Sequence, residues 1–210
     1  MRTESEFPFF MTVWLAGVFV FWTAAYMLII WRGFRDRRCG MPAAALCANI
    51  AWEFIYLFVF PQELLRTLAT AIWLVLDVII FAQFVVFSRG LWSSARFKVM
   101  ALALFLTIAF TLQVSASIDL HDPEGTYTGF AINLMMSILF IAMLLTRGHA
   151  GQSALIGYAK MLGTFCASVV SYTQYPDSMF LTVSYVLIVG LDALYIYLLY
   201  AWPGKQAAVT

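Results

Sequence analysis

The chain has 210 residues, of which 63% are hydrophobic and 11% charged. A soluble domain is usually about a quarter charged, so composition excludes water as the solvent of most of its surface, and the mean hydropathy of +0.88 points to lipid. The net charge of +1 does not point to a nucleic-acid partner, and none is expected. A spanning helix needs about 20 apolar residues. Seven such runs fill the chain in order: 9–31, 41–60, 67–87, 98–117, 128–146, 154–172 and 179–201. Acidic Glu4 and Glu6 precede the first run where a signal peptide would be basic, so it reads as a span rather than a cleaved signal. We expect one domain, residues 1–210, that is an all-α polytopic membrane protein with a bundle of seven transmembrane helices.

The loops set the expected orientation. Arg32, Arg35, Arg37 and Arg38 fall in the first loop, Arg89, Arg96 and Lys98 in the third, Arg147 in the fifth and Lys205 in the tail. The other side holds only Arg2 and Arg66, while Glu4, Glu6, Glu63, Asp119, Asp122, Glu124 and Asp177 collect there. The positive-inside rule then places the odd loops and the C-terminus in the cytoplasm and the N-terminus outside. Trp31, Trp92 and Trp202 fall at the cytoplasmic ends and read as interfacial anchors. Trp22, Trp52 and Trp73 lie inside spans and are candidates for lining a substrate cavity. The outer loop DLHDPE lacks the spacing of an EF-hand or zinc motif and reads as a solvated acidic loop. Cys39, Cys47 and Cys166 form no CxxC pair and read as small core residues. No metal site and no cofactor is expected.

Three carboxylates interrupt the apolar runs. Glu53 sits in NIAWEFIYLF on the second span, Asp77 in WLVLDVIIF on the third and Asp192 in VLIVGLDALYIY on the seventh. An acid near the centre of a lone helix costs about 2.5–3.5 kcal/mol on insertion scales, so each is expected to face the bundle interior. Lys160 is the only basic residue well inside a span, which leaves at least two acids without a countercharge. Desolvation disfavours the charged form, so an uncompensated acid keeps a proton that it can donate. Asn49, Glu53 and Tyr56 share a helical face at i, i+4 and i+7, and Tyr185, Asp192 and Tyr195 share another. Trp73 stands four residues before Asp77. Acids among aromatic rings, whose faces stabilise cations by up to about 2 kcal/mol when desolvated, suit a reaction that passes through carbocations. The chain holds no aspartate-rich diphosphate motif, no P-loop and no GxSxG elbow.

NIAWEFIY on the second of seven spans, with a lone aspartate in GLDALY on the last, resembles the small seven-span membrane-bound terpene cyclases of fungal meroterpenoid and indole-diterpene pathways and of the bacterial drimentine pathway. The resemblance implies a non-redox, metal-free cyclisation started by protonating an alkene or an epoxide. It implies Glu53 and Asp192 as the catalytic pair and assigns no role to Asp77; the helical neighbours and mid-span aromatics Asn49, Trp52, Tyr56, Trp73, Tyr185, Tyr195 and Trp22, with Asp77, are the candidate substrate-binding residues read from the sequence itself. The implied substrate is a prenylated aromatic compound reached from the bilayer. The short tails look most like the bacterial branch, which suggests a farnesylated indole diketopiperazine and a bacterial plasma membrane, or the endoplasmic reticulum in a fungus. The main rival is a proton-coupled or PQ-loop-like transporter, faintly echoed by Pro61-Gln62, although no second Pro-Gln follows. A retinal protein is disfavoured because the seventh span carries no lysine. Oligomeric state is not legible.

Overall fold

Among the described residues seven α-helices follow one another in chain order: α1 (Glu6–Asp36), α2 (Ala43–Phe54), α3 (Leu64–Phe87), α4 (Ala95–Asp119), α5 (Thr126–Arg147), α6 (Ala154–Gln174) and α7 (Met179–Ala201). The computed structural model describes residues 6–60, 62–88 and 90–201, without the side chains of residues 6–8, 91 and 92. Arg2, Glu4, Pro61, Arg89, Trp202 and Lys205, and the side chains of Glu6 and Trp92, therefore lie outside the described residues. No strand occurs among the described residues. Among the described residues, six helices are long and apolar enough to cross a membrane. The large apolar side chains they leave exposed, such as Val75 on α3, Leu112 on α4 and Val186 on α7, suit a lipid surround.

The exception is α2. With the π-helical turn Ile55–Val59 that continues it, it runs only from Ala43 to Val59, roughly 25 Å at 1.5 Å per residue. It is also enclosed, with Ala45, Leu46 and Cys47 fully buried. Ala43, Ala45, Ala48 and Ala51 are buried on it, and small residues let neighbouring backbones approach closely. α2 packs on α3, α4 and α5; α1 packs on α3 and α6; α7 joins α5 to α6. Six helices thus close a ring in the order α1, α3, α2, α5, α7, α6, and α4 lies outside against α2. Few α4 side chains are buried: Leu102, Gln113 and Ser117, with the Gln113 amide donating to the Ala48 carbonyl at 2.9 Å.

At the end of the bundle where α1 stops, Asp36 pairs with Arg32 at 2.9 Å and accepts from the Gly151 amide at 2.9 Å, which ties the α1–α2 loop to the α5–α6 loop. A Cβ on Gly40 would collide with the Gly151 carbonyl, so glycine is what lets these loops touch. Cys39 lies in this junction, and burial pushes its thiol up to about 12, so it behaves as an inert core group. The three cysteines are all buried.

The other end corrects one expectation. Asp122 in DLHDPE is 1% exposed rather than solvated. Its carboxylate accepts from the Thr126 amide at 2.7 Å, the Thr128 amide at 2.9 Å and the Thr128 hydroxyl at 3.0 Å, and so satisfies the open N-terminus of α5. The chain turns into that helix at Gly125 with φ +73, where a Cβ would also strike Tyr56 and Trp52. Gln62 braces the loop by donating to the Pro123 carbonyl at 2.7 Å, and Arg66 pairs with Glu124 at 2.8 Å. Asp122→Ala is expected to cost about 2 kcal/mol, the upper range for a lost cap, read as a lower melting temperature in detergent. Unchanged melting would contradict the capping role.

Candidate active site

Three helices bring their polar residues to one depth. Tyr26 on α1, Glu53 on α2 and Asp77 on α3 each stand ten residues from the helix end on the arginine-rich side, at Asp36, Ala43 and Phe87 respectively. That is about 15 Å along each axis. The Tyr26 hydroxyl donates to Glu53 Oε1 at 3.0 Å, and Asn49 Nδ2 donates to the Tyr26 oxygen at 2.8 Å. Asp77 is the electrostatic neighbour of Glu53, Asn49 and Tyr26. Glu53 is 2% exposed and Asp77 fully buried. Glu53 Oε2 and both oxygens of Asp77 make no hydrogen bond of ordinary distance and angle, although Asp77 lies against the side chains of Asn49, Glu53 and Tyr26. Buried polar atoms are nearly always paired, so three orphaned carboxyl oxygens in one place mark this cluster out.

Asp192 sits in different surroundings. Its two oxygens accept from Lys160 Nζ at 2.8 and 2.9 Å, and the third ammonium proton goes to Ser137 Oγ at 2.6 Å. Lys160 and Asp192 are both 2% exposed. The one basic residue inside a span is thus committed to Asp192, and the two uncompensated acids are Glu53 and Asp77. The hydrogen bonds of Glu53 and those of Asp192 share no partner among the described residues. Two clefts open elsewhere. One, of about 260 Å³, is lined by Arg38, Cys39, Phe84 and Arg147. The other, of about 380 Å³, lies between α2 and α4 against Ile50, Phe54, Leu106 and Phe110.

The other candidate residues divide. Asn49 joins the Glu53 cluster through Tyr26. Tyr56 does not. Its hydroxyl meets Ser117, Thr128 and the Asp122 carbonyl, away from Glu53. The physical reason is the π turn, whose i to i+5 bonding widens the helix just after Glu53 and spoils the i+3 register. Such turns recur at functional sites. Trp52 packs on Tyr56, ring centroids 4.8 Å apart, and donates to the Gly125 carbonyl at 3.3 Å. Trp73 donates to Thr23 at 3.2 Å. Trp22 lies 6.1 Å from the Tyr26 ring and fills the space left by Gly163, where a Cβ would approach it to 2.8 Å. Tyr185 packs on Phe130 with centroids 4.7 Å apart. Tyr195 donates to Gln152 at 3.0 Å and packs on Phe140. Neither tyrosine orients Asp192, because Lys160 does.

Sequence reasoning passed over Tyr26. Its spacing signal exists, the same ten-residue offset from the basic helix end, but it becomes readable only once α1 is known to lie beside α3 and near α2.

A helical bundle that encloses unpaired carboxyls without a countercharge is the framework of a membrane-embedded acid. The chain belongs to the family of Pyr4-like transmembrane terpene cyclases, whose model matches residues 5–203. It is 28% identical over 177 residues to the Pyr4-family terpene cyclase mfmH of Annulohypoxylon moriforme, covering 80% of this chain and 73% of that one. It is 30% identical over 158 residues to terpene cyclase macJ of Penicillium terrestre, covering 71% of this chain and 61% of that one. Asnovolin H synthase nvfL of Aspergillus novofumigatus is 25% identical over 71% of this chain and 64% of its own length. No solved structure matches. The chain is a membrane terpene cyclase, an enzyme that cyclises terpenoids.

Proposed function

We propose that the enzyme cyclises the polyprenyl tail of a prenylated aromatic compound by protonating a terminal alkene or epoxide, with Glu53 as the acid. The observation that carries this reading is Glu53 itself, buried, unpaired with any cation, with Oε1 fixed by Tyr26 and Oε2 unengaged. An acid needs its proton within hydrogen-bond reach of the target. The O–H bond of Glu53 breaks as a C–H bond, or an O–H bond on the epoxide oxygen, forms. The resulting tertiary cation closes rings in sequence and ends by losing a proton, so the reaction is an isomerisation overall. Such a start requires no metal-assisted loss of diphosphate, in keeping with a sequence that holds no aspartate-rich diphosphate motif.

Asp192 is the second catalytic residue of this reading. As a carboxylate clamped by Lys160 it fits accepting the final proton better than delivering the first. Asn49, Trp22, Trp52, Trp73, Tyr56, Tyr185 and Tyr195 are the proposed substrate-facing groups, with Asp77 beside the acid, and the rings among them offer faces for a passing cation. The N-terminus is proposed to lie outside and the C-terminus in the cytoplasm, because Arg32, Arg35, Arg37, Arg38, Arg96, Lys98 and Arg147 gather at one end of the bundle. The host membrane is proposed to be a bacterial plasma membrane or, as the fungal sources of mfmH, macJ and nvfL would favour, the endoplasmic reticulum.

A farnesylated indole diketopiperazine is the proposed substrate. Protein in nanodiscs, supplied with this compound as alkene and as terminal epoxide, is expected to yield products of unchanged mass with new rings. Failure to convert either probe would refute this substrate.

A further inference from the structure

We propose that Asp77 is a positioning residue for Glu53, the two carboxyls forming one pair that holds the transferable proton on the side of Glu53 away from Tyr26. This rests on the assignment of Glu53 as the acid. The tyrosine fixes one side of the geometry. A phenol has one proton, and Tyr26 gives it to Glu53 Oε1 while its own oxygen accepts from Asn49. Glu53 Oε1 is therefore an acceptor, and the proton of a neutral Glu53 belongs on Oε2. That atom makes no hydrogen bond of ordinary geometry, nor does either oxygen of Asp77, and the packing of α2 on α3 at one shared depth sets the two carboxyls beside each other. The carboxyl that completes the geometry of Glu53 thus comes from α3.

Charge makes the same demand. Two carboxylates side by side in a dry interior cannot both ionise. Among the described residues, the titratable groups that interact with the pair are Tyr26 on α1, Cys47 on α2 and Cys39 in the α1–α2 loop, none of them cationic. Lys160 is committed to Asp192. The pair therefore keeps at least one proton even after Glu53 has donated, so it enters the reaction with both carboxyls protonated. When Glu53 gives up its proton, the O–H of a protonated Asp77 turns to Glu53 Oε2 and holds the new negative charge. One proton returns to the pair before the next turnover, balanced by the proton lost from the last cation.

The test needs no substrate at first. Infrared difference spectra of the protein in nanodiscs, recorded across pH with and without carboxyl-labelled ¹³C-aspartate, separate the protonated Asp77 band from that of Glu53. A pair titrates in two coupled steps that belong to both groups. Asp77→Asn and Glu53→Gln are each expected to shift the remaining band and leave a single step. If the unlabelled spectrum of the parent is the sum of the two variants, the pair does not exist. The labelled parent decides the same question where a variant does not fold, because uncoupled bands titrate independently. In the second arm, with the farnesylated indole diketopiperazine as probe, Asp77→Asn is expected to lower kcat about 100-fold, as a misplaced group does, with KM near the parent value and partial recovery in Asp77→Glu. Parental kcat and pH profile in Asp77→Asn would overturn the positioning role. Coupled bands in a protein that turns over no probe would refute the substrate reading and leave the pair standing.

Discussion

Glu53→Gln is expected to reduce cyclisation by about 10²–10⁴-fold, the range that a positioned general acid contributes. The change is close to isosteric. A glutamine Oε1 still accepts the Tyr26 hydroxyl that now lies 3.0 Å from the carboxyl, so the local fold has little reason to change. What disappears is the acidic O–H on the other atom. An amide N–H placed there does not protonate an alkene. Glu53→Asp makes a useful companion, because it keeps the acid but withdraws it by one methylene from Tyr26, and an intermediate loss is expected. Melting curves in nanodiscs close to the parent would show that the loss is chemical. Parental product formation by Glu53→Gln would remove Glu53 from the mechanism outright.

The second large effect falls on stability. Lys160→Met leaves Asp192 buried at 2% exposure with no countercharge, and breaking one half of a buried pair costs about 3–5 kcal/mol. Ser137 would also lose its ammonium donor. Replacing both partners, as in Lys160→Met with Asp192→Leu, is expected to bring melting back near the parent, because desolvation of two ions is then no longer required. The double variant also tests the catalytic role of Asp192. A stable double variant that fails to cyclise the probe supports a part in the chemistry, and one with parental turnover reduces Asp192 to a structural partner.

Much of the architecture could be read without coordinates. The bilayer imposes a single length on every span and forces backbone polar groups to be satisfied within helices, so the apolar runs alone locate α1 and α3–α7. The identity of the central acids was equally plain, because a carboxylate in VLDVII or AWEFIY has no solvent to face. The shared depth of Tyr26, Glu53 and Asp77 was not, because the ten-residue offset counts from helix ends at Asp36, Ala43 and Phe87 that the structure supplies.

Which acid meets which partner was another matter. Helical periodicity puts Tyr56 on the face of Glu53, yet the π turn after Phe54 carries its hydroxyl to Ser117 and Thr128. The acidic loop reads as solvated, yet Asp122 turns inward because the free amides at the start of α5 need an acceptor. Asp77 has only its burial to recommend it until α3 is seen packed against α1 and α2, where it becomes the neighbour of Glu53. The three carboxylates themselves were determined by sequence, since their cost in lipid depends on nothing but their position in an apolar run. Their division into one salt bridge with Lys160 and one pair without a countercharge was decided by tertiary structure, because only the order of helices around the ring sets which charges come within reach of each other.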